Sequence, residues 1–109
     1  MSRYLNKVIL IGNVTDDIEV ENVSDEDKIC RFFVATNRSW TSKDGTKSED
    51  TEYHKIIAWN KLAIACGQFL NKGSKIYVEG RLSTYKYLDK EGNPQTSVEI
   101  IVNDFISLD

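Results

Sequence analysis

The run TEYHKIIAWNK (51–61) interleaves flat rings with cations. As a β-strand it would place Tyr53, Lys55, Ile57 and Trp59 on one side, because successive side chains alternate. A buried face would not hold Lys55, since an unpaired ammonium is costly to take out of water, and an ordinary solvent face has little use for Trp59. Two further stretches repeat the mixture. In KICRFFVATNRSW (28–40) the even positions Phe32, Val34, Thr36, Arg38 and Trp40 share a face, so Arg38 and Trp40 emerge together at its outer end. In KIYVEGRLSTYKYLD (75–89) Tyr85 and Tyr87 share a face, with Lys86 between them on the other and Lys90 at the turn that follows. Alternating rings and cations match one ligand chemistry well. Unpaired bases expose π-faces that stack on Trp or Tyr at about 1–3 kcal/mol each, and the phosphates between them favour Lys or Arg, which release condensed counterions.

Packing is the competing reading. Aromatic residues are enriched in strands in any case, and for a single ring, such as Trp59 just before a helix, core or edge packing explains it equally well. The set, with Lys55 on the face of Tyr53 and Trp59, favours a binding platform. Tyr77 and Phe69 fall at core-facing positions and are assigned to packing. Catalysis has little to work with: His54 is the only histidine, so a histidine-activated nucleophile would have to use it, yet its even position groups it with Ile56 and Ala58, opposite Lys55. There is no glycine-rich phosphate loop, HExxH or nucleophile elbow, so the expectation is a protein that is not an enzyme. Cys30 and Cys66 are too few for a disulfide framework and lack the close spacing of zinc ligands. They read as two buried thiols, with no metal and no cofactor expected.

The elements that must position these residues are mostly strands. NKVILIGNV (6–14) is rich in β-branched and apolar residues, and 28–40 is a second strand. TSKDGTKSED (41–50) has no apolar residue and carries a turn-forming Asp44-Gly45, so it reads as the long tip of a hairpin. The third strand is 52–59. The period then changes: Leu62, Ala65, Cys66, Phe69 and Leu70 recur at helical spacing, with Asn60 as N-cap and Gly73 just past the end. Strands resume at 75–89, where Gly80 marks a bend or bulge, and at 96–108 after the KEGNP turn. This order predicts an all-β chain, a five-stranded OB-fold barrel with one short α-helix between strands 3 and 4, a fold whose strand 2 and 3 face binds oligonucleotides; the order alone also fits a generic small β-barrel or a split sheet of other topology.

At 109 residues with 40% hydrophobic and 28% charged side chains, the chain fits one domain over residues 1–109. No segment approaches the roughly 20 apolar residues of a membrane span, and the N-terminus lacks a secretory signal, so a cytoplasmic protein is expected. The net charge of −3 is unevenly spread: seven of the seventeen acidic residues lie between 16 and 27, leaving fourteen basic against ten acidic residues elsewhere. A phosphate backbone responds to the local patch, and the acidic segment reads as a solvated loop facing away from it.

Read together, NKVILIGNV, ATNRSW (35–40), TEYHKIIAWNKLA (51–63), KGSKIYVEGRL (72–82) and TYKY (84–87) resemble, in order and spacing, the N-terminal OB-fold domain of bacterial-type single-stranded DNA-binding proteins, across essentially the whole chain. The resemblance implies sequence-independent binding and protection of single-stranded DNA in replication, recombination and repair, a homotetramer, and a cytoplasmic, nucleoid-associated location. It implies stacking rings at Trp40, Tyr53, Trp59 and Tyr87, with Tyr85 beside them. The matching basic positions are Arg3, Lys7, Lys43, Lys55, Lys61, Lys72 and Lys86, which Arg38 joins from the strand reading. It further implies subunit-interface roles for Asn6 and His54. Four positions depart from the family: Tyr53 and Tyr87 stand where Trp is common, Trp59 where Phe is usual, and Ser83 where a basic residue is common. The chain ends at DFISLD without a Gly/Gln/Pro-rich tail or acidic tip, so tail-mediated replication and repair partners are not expected of it. The alternative is an OB-fold interaction module that assembles a replication complex and binds nucleic acid only weakly.

Overall fold

Alternation along the strands decides which side chains enter the interior. In the computed structural model, which describes residues 3–109, the strands are β1 (Val8–Val14), β2 (Val20–Asn22), β3 (Lys28–Thr41), β4 (Lys47–Trp59), β5 (Lys75–Leu88) and β6 (Pro94–Ser107), with helix α1 (Lys61–Phe69) between β4 and β5. They form one sheet in the order β1-β5-β6-β4-β3-β2, and β1 also pairs with β3 at Asn13 and Val14. That second pairing closes β1, β3, β4, β6 and β5 into a barrel, with β4 and β6 the parallel pair. The expected five-stranded OB-fold barrel is thus present, and the three-residue β2 is appended to β3.

The interior is built from inward-phased residues: Val14 from β1, Cys30, Phe32 and Val34 from β3, Ile56 and Ala58 from β4, Ile76 and Val78 from β5, Ile100 and Val102 from β6. Leu70 closes one end, and Cys30 and Cys66 are buried and unoxidised in the same cluster. The Cys30 thiol beside it, as a hydrogen-bond partner, and then burial push the Cys66 thiol up.

Five expectations are corrected here. Half of the polar stretch 41–50, Thr41 and residues 47–50, is strand and not loop. β3 and β4 stay in continuous register from Ile29 opposite Trp59 out to Thr41 opposite Lys47, so the turn shrinks to residues 42–46 and a two-stranded arm projects from the barrel. An arm with both faces in water needs no apolar residue, which is why composition hid it. Part of the acidic segment is also strand, since Val20–Asn22 pair with Lys28–Cys30. Asn60 does not cap the helix with its side chain. With φ at 53° it turns the chain sharply, and its Oδ1 accepts the Lys28 N–H at 2.8 Å, tying the helix start to the start of β3. Finally, Ala63, Cys66 and Leu70 are the buried stripe, while Phe69 is 63% exposed. Two apolar stripes overlap in this helix, and the small residues allow the closer approach to the barrel. Tyr77 is likewise not a core residue: it is half-buried on the outer face, opposite Ile11 and Ile106.

The tips of the β3–β4 and β5–β6 hairpins are fixed by aspartates. Asp44 accepts the Thr46 N–H, and Asp89 accepts the N–H groups of Asn93 and Glu91. Those bonds hold each carboxyl below the usual aspartate range. The bend expected at Gly80 is a shift in the β5–β6 register, from Glu79 opposite Asp104 to Gly80 opposite Val102. Side-chain bulk is excluded there, because a Cβ would overlap the Ile101 carbonyl.

Candidate nucleic-acid interface

The outward phase of four neighbouring strands forms one continuous surface. Across β3 and β4 the opposed pairs are Ile29–Trp59, Arg31–Ile57, Phe33–Lys55 and Ala35–Tyr53. The parallel step from Ile57 to Ile101 carries the row onto β6, and Ile101–Arg81, Glu99–Ser83, Ser97–Tyr85 and Gln95–Tyr87 carry it onto β5. Trp59, Lys55, Arg81 and Tyr85 therefore line the same groove, of about 490 Å³. Its rings are available: Trp59 is 40% exposed, Tyr53 65%, Tyr85 55% and Tyr87 45%. The rings of Tyr85 and Tyr87 stack on each other with centroids 5.9 Å apart.

The structure brings Tyr53, Lys55, Trp59, Tyr85 and Tyr87 to this one face. It does not bring the remaining candidates there. Trp40 is opposite Ser48 and Arg38 opposite Asp50, in the phase of Val34 and Ile56; they occupy the other face of the β3–β4 arm, past the point where that face leaves the core. Arg38 lies 4.7 Å above the Trp40 ring, a cation–π contact that orients the indole. Lys86 points away from Tyr85 and Tyr87, as alternation requires. Lys43 sits in the tip of the β3–β4 hairpin, Lys61 opens α1 and Lys72 follows it, its backbone N–H bound by Asp17 Oδ1. Arg3 is exposed ahead of β1.

Two of the lysines are already engaged. Lys55 Nζ is 3.1 Å from Glu99 Oε2, both side chains being partly sheltered. Lys7 Nζ is 2.8 Å from Glu79 Oε1, and the hydrogen bond and charge of Glu79 raise the Lys7 ammonium above its ordinary value. The two interface candidates also have partners within the chain. His54 is half-buried with Nε2 2.8 Å from Thr36 Oγ1. The Asn6 side chain donates to the Leu82 carbonyl and accepts the Leu82 N–H, at 2.8 and 2.9 Å, extending the β1–β5 ladder by one step.

Three residues of this face escape a reading based on rings and family positions: Arg31 and Arg81, which line the groove, and Phe33 beside it. Phe33 is 41% exposed beside Lys55. The signal for Arg31 and Phe33 lies in the odd positions of 28–40, which face out where the even ones face in. Arg81 is found the same way, from the odd phase it shares with Tyr85.

Residues 5–108 match the model of the single-strand binding protein family. The single-stranded DNA-binding protein of Neisseria meningitidis (serogroup A, strain Z2491) is 42% identical over 100 residues, which are 92% of this chain and 58% of that protein. Single-stranded DNA-binding protein 1 of Chlorobaculum tepidum is 40% identical over 95% of this chain and 65% of its own length. The chain thus spans about three-fifths of the length of these curated relatives. Among solved structures, the Plasmodium falciparum SSB complex with ssDNA superimposes with a TM-score of 0.86 at 31% identity, covering 100% of this chain and 99% of that one. A deletion mutant of the single-stranded DNA binding protein from Thermus aquaticus gives 0.82 at 28% identity, covering 100% of this chain and 53% of its own.

Proposed function

From the premise that the chain belongs to the single-strand binding protein family, we propose that it binds single-stranded DNA without sequence preference and shields it during replication, recombination and repair. The observation that carries this reading is the outer face of β3, β4, β6 and β5, where four exposed rings and several cations share one surface. A stacked base needs only a π-face, so such a surface accepts any sequence. A module that merely joined other proteins would have no use for the alternation. Binding is the whole activity: His54 is engaged by Thr36 and belongs to the framework. The experiment compares a dT oligomer with a duplex of equal length over a salt series. Single strand should win, with a log–log slope near −0.7 for each phosphate neutralised. Salt-independent binding, or equal affinity for duplex, would refute the proposal.

We further propose that the chain works as a homotetramer. Support comes from the outer face of β1, β5 and β6, where Ile9, Ile11 and Ile106 are each 53% exposed and Leu108 44%, around the half-buried Tyr77. Contiguous apolar surface of this kind marks association. The edge of β1 away from β5 is also open over Val8–Gly12, because β3 takes only Asn13 and Val14, and an open edge is a template for pairing. Replacing Ile9 and Ile11 together with Glu should reduce the mass measured by light scattering at micromolar concentration to that of a smaller assembly. An unchanged mass, or a wild-type monomer, would remove this proposal while leaving DNA binding standing.

A further inference from the structure

The groove has more cations than free charge. Arg31, Ile57, Ile101 and Arg81 form one row across four strands, and Lys55, Glu99 and Ser83 lie in the next. Three of the carboxylates on this face or its border are taken, whereas Asp104, opposite Glu79, and Glu49, out on the arm, hold no cation among the described residues. Glu99 holds Lys55, Glu21 Oε2 holds Arg31 Nη1 at 3.3 Å, and Glu79, two residues before Arg81 on the same side of β5, holds Lys7. Among the described residues Arg81 has neither an ion-pair partner nor a side-chain hydrogen bond, and it is exposed.

A paired cation is a poor phosphate ligand. To bind DNA, Lys55 would have to leave a carboxylate that is only 13% exposed, stranding a largely desolvated charge. Arg81 gives up nothing of the kind. Its guanidinium also presents a planar fork that suits two phosphate oxygens at once. Trp59 and Tyr85 line the same groove, so a backbone running between bases stacked on those rings passes over β5 and β6. We infer that Arg81, not Lys55, is the principal phosphate contact of the groove. This rests on the single-stranded DNA reading above and goes beyond it by naming the residue that grips the backbone.

The test measures affinity, salt slope and melting temperature for Arg81→Ala, Arg81→Lys, Lys55→Ala and Lys75→Ala, with a dT oligomer of about 30 nucleotides as probe. Lys75 is exposed at the far end of β5, so its replacement removes one positive charge away from the groove. Arg81→Ala should weaken binding about tenfold and reduce the slope by about 0.7 without lowering the melting temperature. Arg81→Lys should keep the slope with intermediate affinity, and Lys75→Ala should match the wild type. Lys55→Ala should lower the melting temperature, by unpairing Glu99, more than it lowers the slope. The inference is overturned if Arg81→Ala behaves like Lys75→Ala, or if Lys55→Ala flattens the slope more. Should Trp59→Ala weaken binding while Arg81→Ala does not, only this assignment falls. A wild type indifferent between dT and duplex overturns both readings together.

Discussion

Trp59→Ala should weaken binding of both short and long dT oligomers by about 5- to 150-fold, the loss of one base–indole stack, whereas Trp40→Ala should weaken only the long one. The difference follows from phase. Trp59 faces out with Tyr53 and Lys55, while Trp40 sits on the opposite side of the same ladder, with no break in register between them. A strand of about four nucleotides, the smallest OB-fold site, covers the groove and cannot also reach round the β3–β4 arm. A strand of about 30 can. On the long oligomer the two losses should multiply, because the rings touch neither each other nor a common partner. Fluorescence gives an independent readout, since these are the only two tryptophans: the short oligomer should quench one indole, the long one both. Trp59 buries more than half of its surface, so Trp59→Ala will also lower the melting temperature, and affinities must be compared well below it. If Trp40→Ala weakens the short oligomer as much as Trp59→Ala does, the arm's two faces do not bind separate stretches of DNA.

That geometry also shows how far the sequence could be read. Strand phase within one element was legible: Tyr53, Lys55 and Trp59 on one face and Tyr85 with Tyr87 on another follow from alternation alone, and both hold. Phase between elements was not. Arg38 and Trp40 share a face with each other, but whether that face meets the face of Tyr53 depends on the β3–β4 register, which a polar turn of unmarked length leaves open until the ladder is seen. Charge was legible only as a count. Lys55 looked available because its partner Glu99 is 44 positions away and reaches it through the parallel β4–β6 pairing, a contact that nothing local in the sequence marks. The helix failed for another reason: two apolar stripes fit its period, and the choice between Phe69 and Ala63 belongs to the width of the gap beneath, not to the helix.

Gly12→Val should abolish folding, or lower the melting temperature by about 15 °C or more, with the affinity of whatever remains folded unchanged. Gly12 lies in β1 just before the two residues that pair with β3 and close the barrel, Asn13 keeping its β5 partner Lys75 as well. A Cβ there would overlap the Ala35 carbonyl and lie 2.7 Å from Val34 Cγ1 and 3.1 Å from Thr36 Cγ2. The Ala35 oxygen belongs to the β3 backbone and Val34 is fully buried, so neither can swing aside. Relief requires moving β1 off β3, which opens the interior along Val14 and Val34. Overpacking alone costs about 1–3 kcal/mol, and a parted barrel seam adds the loss of core burial, reaching the range of about 4–5 kcal/mol where single substitutions become exceptional. At about 4 °C per kcal/mol for a domain of this size, that exceeds 15 °C. Gly45 supplies the contrast. At φ +87° a side chain there is strained, but nothing lies within 4 Å of its Cβ, so Gly45→Ala should cost only about 1–2 kcal/mol and leave the barrel intact. Thermal melts of the two variants separate crowding at the seam from backbone strain in a turn. A Gly12→Val protein that melts like Gly45→Ala would mean that β1 closes the barrel far more loosely than its contacts with β3 indicate.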